Sequence, residues 1–391
     1  MTARRAPIIL LALLALVVTA CSGPVLANPA AERPVVTPAP RPTARPADPQ
    51  PVVLPRDDGP HDRLTEWWYY TGHLAAADGT RLGFEYVVFR AERGGFPVTW
   101  ASHLALTDET GSRFHYAQRA EVGPQVDGSP RGDAGPTGFA FTLTGVDLAG
   151  ATPPGSTPWT MTGQRAADRL VASARGAEIS GDAIAAFGLD LSLVSRKVPA
   201  LHDGDGWIDF GDAGSSYYYS RTAMTASGSV TLRDETFRVT GDAWFDHQWG
   251  DFISVGGGGW DWFAINLDDG TDITLSLVRA ADGTYPLVYG TVVAVDGTTR
   301  RLGREVIGVE AGPSWTSPTT GATYPAGWTV RLPTEGLEVS LAPTVAQQEL
   351  DTRATTGVVY WEGSQVVRAT RDGTAVGGQA YVELTGYGPT E

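Results

Sequence analysis

From residue 65 onward, apolar and polar side chains alternate with period two, not 3.6, in short runs closed by Gly, Asp and Pro. Glu66–Leu74, Leu82–Arg90, Trp100–Leu106, Phe139–Leu143, Trp159–Gly163, Leu170–Ala174 and Leu189–Val194 read as strands, and Ser215–Arg221 as a strand with a polar-aromatic face. The second half continues with Gly228–Leu232, Phe237–Trp244, Trp260–Leu267, Asp272–Val278, Leu287–Val295, Gly327–Leu332, Leu337–Ala342, Thr356–Trp361 and Gln379–Tyr387. No segment shows a long amphipathic helix. The tripeptide Asp-Gly-Thr recurs at 78, 269, 282, 296 and 372, a turn chemistry suited to joining adjacent antiparallel strands. The pattern predicts an all-β chain of hairpins, with enough strands to close small barrels.

Alternation also sorts side chains by face. In the first strand Trp67, Tyr69, Thr71 and His73 share one face, and Glu66, Trp68, Tyr70 and Leu74 the other. Both faces are aromatic, so this strand is expected to be buried on both sides or to line a cavity. The densest chemistry lies at Trp244-Phe245-Asp246-His247-Gln248-Trp249-Gly250-Asp251 and Trp260-Asp261-Trp262. Four Trp, three Asp and a His fall within 19 residues of a chain holding 12 Trp and 6 His. Indole walls around carboxyl and imidazole groups suit proton transfer in an apolar pocket.

Three compositional facts change the picture. The net charge of −15 argues against nucleic acid as a partner. The single cysteine, Cys21, rules out a disulfide within the chain and a cysteine-rich zinc site. Its position is informative: Arg4 and Arg5 precede the apolar run Ile8–Val18, and Val18-Thr19-Ala20-Cys21 resembles a bacterial lipobox. A lipoprotein signal over 1–20 with lipidation of Cys21 is expected, placing the protein at the cell envelope on a membrane anchor; a plain secretory signal cut near Ala27, or an N-terminal membrane anchor, is the alternative. Residues 21–55 are rich in Pro, Ala, Val and Arg and read as an extended tether. The folded part is expected to divide at residues 56–222 and 223–391.

Glu66–Leu74, Ser102-His103, Tyr217–Ser220, Ala243–Asp251, Gly259–Phe263 and Gly378–Tyr387 together resemble the carotenoid 1,2-hydratase (hydroxyneurosporene synthase) family and its AttH-like secreted relatives. The resemblance spans about residues 60–390. It implies two consecutive lipocalin-like β-barrels or sandwiches, and a large apolar substrate, isoprenoid- or polyketide-like, handled without a cofactor by hydration or a related reaction. Within it, Asp246, His247 and Trp249 match the proposed catalytic segment. The candidate catalytic residues are therefore His247, Asp246 and Asp261. The candidate substrate-binding residues are Trp249, Trp260, Trp262, Glu66, Trp68, His103 and Tyr218. A non-catalytic carrier of lipid or another hydrophobic ligand is the alternative function, and a monomer is expected. No short ligand spacing such as His-x-x-x-His points to a metal, and no Gly-x-Ser-x-Gly elbow supplies a serine nucleophile.

Burial among Trp244, Phe245 and Trp249 is expected to raise the Asp246 pKa and keep it protonated near neutral pH. In a regular strand, however, Asp246 and His247 point to opposite faces, and His247 shares its face with Phe245 and Trp249. Both serve one pocket only if the chain bulges there. Gly256-Gly257-Gly258-Gly259 lacks the spacing of a phosphate loop and reads as a hairpin loop or a flexible gate.

Overall fold

The computed structural model describes residues 47–145, 156–233, 235–252 and 257–388; the export segment with Cys21, and Gly256 of the glycine run, lie outside them. The expected all-β fold is present: two curled antiparallel sheets follow one another along the chain. The main strands of the first are β1 (Thr65–Ala76), β2 (Arg81–Ala91), β3 (Thr99–Asp108), β4 (Arg113–Val122), β5 (Phe139–Leu143), β6 (Trp159–Gln164), β7 (Ala167–Arg175), β8 (Ile179–Gly181), β9 (Ala186–Ser195), β10 (Ser215–Leu232) and β11 (Glu235–Gly250). Those of the second are β12 (Gly257–Leu267), β13 (Asp272–Ala280), β14 (Leu287–Val293), β15 (Thr299–Gly303), β16 (Gly308–Ala311), β17 (Trp328–Leu332), β18 (Leu337–Pro343), β19 (Val359–Arg371) and β20 (Thr374–Thr385). Neighbours in the first sheet run β8-β4-β3-β2-β1-β11-β10-β9-β7-β6-β5, and in the second β15-β14-β13-β12-β20-β19-β18-β17-β16.

All five Asp-Gly-Thr segments sit between paired neighbours: β1 and β2, β12 and β13, β13 and β14, β14 and β15, β19 and β20. In the first four the Asp carboxylate accepts the backbone N–H of the Thr at 2.9 Å, which closes the turn locally.

Two features differ from the expectation. Strand β4 escapes the pattern because Arg113, His115, Gln118, Arg119 and Glu121 break its apolar run. One of them, Arg119, is buried with its guanidinium 4.4 Å from the centre of the Trp159 ring, so a charged residue occupies a core-side position. The expected division at 222/223 falls inside β10, an 18-residue strand with a bulge between Arg221 and Met224. Both β10 and β11 belong to the first sheet, and the chain changes sheet only after Gly250. The Trp244–Gly250 stretch is therefore a central strand of the first sheet, between β1 and β10, and not part of the second.

Each sheet encloses a core. Trp68, Tyr70, Phe84, Trp159, Phe245 and Trp249 are in the first, and Phe263, Ile265, Trp328, Trp361 and Val382 in the second. A fully buried indole contributes on the order of 4–6 kcal/mol of apolar transfer free energy. The opposite faces of β1, β2, β3, β10 and β11 meet those of β12, β19 and β20 in a third buried layer, which holds Tyr69, Val87, Trp244, Trp262, Ala264 and Tyr381. The expectation that β1 is buried on both sides holds: Trp68 and Tyr70 face the first core, Tyr69 the layer between the sheets.

Candidate functional site

Pairing along β11 is regular where it matters: Trp68 is opposite His247 and Tyr69 opposite Asp246, with no shift between them. Asp246 and His247 therefore point to opposite sides of one sheet, and the candidate residues separate into three groups.

The first group faces the first core. His247, fully buried, shares a hydrogen bond of 2.9 Å between its Nε2 and Glu66 Oε1, and stacks on Trp68 with ring centres 4.6 Å apart. Trp68 donates its indole N–H to Asp58 O at 2.9 Å. Trp249 stacks between His61, at 4.2 Å, and Tyr217, at 5.2 Å. These aromatics are packed core, so the expected pocket beside Trp249 is not what surrounds them. Burial holds the His247 pKa below that of a free imidazole, against the pull of Glu66.

Asp261 stands apart. It alternates with Trp260 and Trp262 and so takes the face of Phe263 and Ile265. There it accepts from Arg279 at 2.9 Å, Tyr285 at 3.2 Å and Tyr387 at 3.0 Å, an ion pair that ties the start of β12 to its neighbours. Arg279 also donates to Gly258 O and Thr385 O. Gly259 has φ +94°, and a Cβ there would lie 2.3 Å from Thr385 O, so the glycines allow a close backbone crossing and the described part of the run is no free gate.

The third group lies in the layer between the sheets. Asp246 accepts from Trp244 Nε1 at 2.6 Å and from the hydroxyls of Tyr218 and Ser220. Burial, the largest influence, pushes its pKa up to about 7 against these three donors; the direction is the expected one, but of the expected walls only Trp244 lies on this side, Phe245 and Trp249 facing the first core. Trp262 donates to Tyr218 Oη at 3.0 Å, and His202 bridges Ser220 at 2.6 Å and Thr291 at 2.9 Å. Trp260 donates to Glu383 at 3.1 Å. His103 shares a 2.7 Å hydrogen bond with Tyr360 Oη, which in turn donates to Glu85 Oε1 at 2.8 Å.

This layer also holds residues that the sequence reading did not single out: Glu85 on β2, Glu362 on β19 and Glu383 on β20, with Tyr69, Tyr360 and Tyr381 around them. Burial pushes the Glu85 pKa up to about 8. Burial, then the charges of Glu85 and Glu383, holds Glu362 well above the carboxylate range. Burial raises Glu383 to about 7; as a residue it is only half-buried, so Glu85 and Glu362 are the firmer members of the set. Among the described residues no Lys or Arg forms an ion pair with Glu85, Glu362, Glu383 or Asp246, and burial is the largest influence on each. The nearby imidazoles, His103 and His202, are pushed down to about 3 by burial and carry no charge at neutral pH. Among the described residues, both oxygens of Glu362, Oε2 of Glu85 and Tyr69 Oη complete no hydrogen bond, although Tyr69 lies beside Glu362. Burial without a cationic partner favours the neutral acid form of a carboxyl, which can donate a proton at pH 7. The one signal for them in the sequence is a solitary Glu inside each of three strongly β-forming runs.

A cavity of about 10 Å³ lies within this layer, between Thr71, Trp244, Ala264 and Tyr381, room for about one water. A larger groove of about 730 Å³ lies elsewhere, along Ala75–Ala77, Ser227–Ser229 and Arg238.

The AttH-like family matches residues 45–387. A crystal structure of a candidate AttH protein from Nitrosomonas europaea is similar, with 29% identity and a TM-score of 0.70 over 88% of this chain and 100% of that one. Kievitone hydratase from Nectria haematococca shares the fold, with 15% identity and a TM-score of 0.63 over 86% of this chain and 93% of that one. No protein of curated function matches the sequence. With nearly the whole folded part matched, the chain belongs to the AttH-like family.

Proposed function

We propose that this protein is a cofactor-independent acid/base enzyme of the hydratase type, acting on a large apolar molecule in the layer between its two sheets. The observation that carries the reading is the set of buried carboxyls, Glu85 and Glu362 foremost, lodged among Tyr69, Trp244, Trp262 and Tyr381, with no Lys or Arg paired to them among the described residues. Neutral carboxyls in an aromatic wall suit protonation of an alkene. Glu85 gives its proton to one alkene carbon and becomes a carboxylate. The π pair forms the new C–H bond, and the cation left on the other carbon faces the indole and phenol rings. Water adds to that carbon and loses a proton to the Glu85–Glu362 pair, which restores the acid. Tyr360 and His103 hold Glu85 from behind and are positioning residues. Asp246 fixes Tyr218 and Trp244, two of the walls. The fold is one that kievitone hydratase also uses, and the motif resemblance to carotenoid 1,2-hydratases points the same way. The cavity beside Trp244 and Tyr381 has room for about one water, so entry of a large substrate there requires the aromatic side chains to move.

The same proposal includes export and tethering through a lipidated Cys21, on the strength of Val18-Thr19-Ala20-Cys21. The test of the activity uses an acyclic isoprenoid polyene with a terminal double bond, incubated with the protein in ¹⁸O-water. The expected product gains one labelled water, and Glu85→Gln and Glu362→Gln both lose it. Undiminished product from these two variants would remove the carboxyl pair from the mechanism.

A further inference from the structure

On the far side of the same sheet, His61, Glu66 and His247 converge from three parts of the chain: the segment before β1, the start of β1, and β11. We propose that they form a binding site for a divalent transition-metal ion, with Zn²⁺ the best match, independent of the acid chemistry between the sheets. Each residue offers one ligand atom, and the three atoms lie within 4.8 Å of one another. His61 Nδ1 and His247 Nε2 sit 2.7 and 2.9 Å from the same oxygen, Glu66 Oε1. Ligand bonds to zinc are about 2.0–2.2 Å, so small shifts seat an ion among them. Two imidazoles and one carboxylate are a donor set that zinc accepts with a fourth position left open.

The surroundings hold the donors in place. The His61 ring lies flat on Trp249 and the His247 ring against Trp68. The backbone N–H of His61 donates to Glu66 Oε2 at 2.9 Å and so aims Oε1 at the two rings. Asp57 stands 3.5 Å from His61 Nε2, the outer carboxylate that a ligating histidine commonly has behind it. Charge gives a second argument. Other acids of the first core have a guanidinium: Asp58 and Asp168 both pair with Arg221. Glu66 is fully buried, and among the described residues no Lys or Arg pairs with it: its partners are the two imidazoles and the His61 backbone N–H. His61 keeps 21% of its side chain exposed, which gives an ion a way in. Among the described residues Nδ1 of His247 has no polar partner, so that ligand lacks outer support and the affinity falls below that of a fully supported site.

The test is titration of tag-free, chelator-treated protein with Zn²⁺ alone by calorimetry, and with Co²⁺ by visible absorption. One ion per chain is expected, with a Co²⁺ spectrum of low coordination number and a higher melting temperature. His61→Ala and Glu66→Gln should each weaken binding at least tenfold, while His115→Ala, with its imidazole outside the site, leaves it unchanged. His61 is part-exposed and outside any strand, so its variant tests binding even if Glu66→Gln folds poorly. Absence of stoichiometric binding to the wild type, or binding indifferent to His61→Ala, overturns the proposal.

Discussion

Replacing Glu85 by Gln should make the protein more stable at neutral pH and leave its stability almost unchanged in acid. The Glu85 pKa is about 8 in the folded chain against 4.5 for the free side chain. Between those values the native state keeps a proton that the unfolded state releases, so the wild type loses stability as pH rises from about 4.5 to about 8. Each pH unit in that window costs about 1.4 kcal/mol. At pH 7 roughly 2.5 units have been crossed, a cost of about 3 kcal/mol. A glutamine side chain at this position has no such proton to keep and retains an oxygen for the Tyr360 hydroxyl. Urea unfolding of both proteins at pH 4 and pH 7 measures the difference. The variant should be about 3 kcal/mol more stable at pH 7, near parity at pH 4, and inactive, a trade of stability for function. A variant destabilised at pH 7, or offset equally at both pH values, would show that Glu85 ionises normally and would refute the reasoning.

Three further outcomes are expected. Arg221→Met strands Asp58 and Asp168 in the first core and should cost about 3–5 kcal/mol in denaturant unfolding; adding Asp58→Asn and Asp168→Asn should recover most of it, because the uncompensated charge is then gone. Asp246→Ala leaves Tyr218, Ser220 and Trp244 without their acceptor, at about 1–3 kcal/mol for each orphaned donor, whereas Asp246→Asn keeps an acceptor oxygen and should cost clearly less in the same assay. Expressed in a bacterial host, the full chain should incorporate labelled palmitate and the Cys21→Ser variant should not; an unlabelled wild type would remove the anchor.

Local chemistry made much of the fold readable. Period-two patterning placed most strands, and the repeated Asp-Gly-Thr turns marked five hairpins. The same period put Asp246 and His247 on opposite faces, and it places Asp261 opposite Trp260 and Trp262, which rules out a single pocket for all three. What alternation cannot say is which surface each face meets. Glu85 and Glu362 become one acid pair only because β2 of the first sheet packs near β19 of the second, a contact between residues 277 positions apart. Each reads alone as an ordinary strand glutamate. His61 was missed because it lies outside any strand, where no periodicity applies. The sheet boundary was misplaced because the bulge after Arg221 breaks the alternation of β10 just where a chain division was expected.

The central claim, that the layer between the sheets stores protonated carboxyls at neutral pH, is tested most directly by infrared difference spectroscopy of wild type against Glu85→Gln near pH 7. The wild type should show the carbonyl band of a protonated, desolvated carboxyl that the variant lacks, and this band should fade only as pH passes about 8. A difference spectrum at pH 7 showing only carboxylate bands would contradict it.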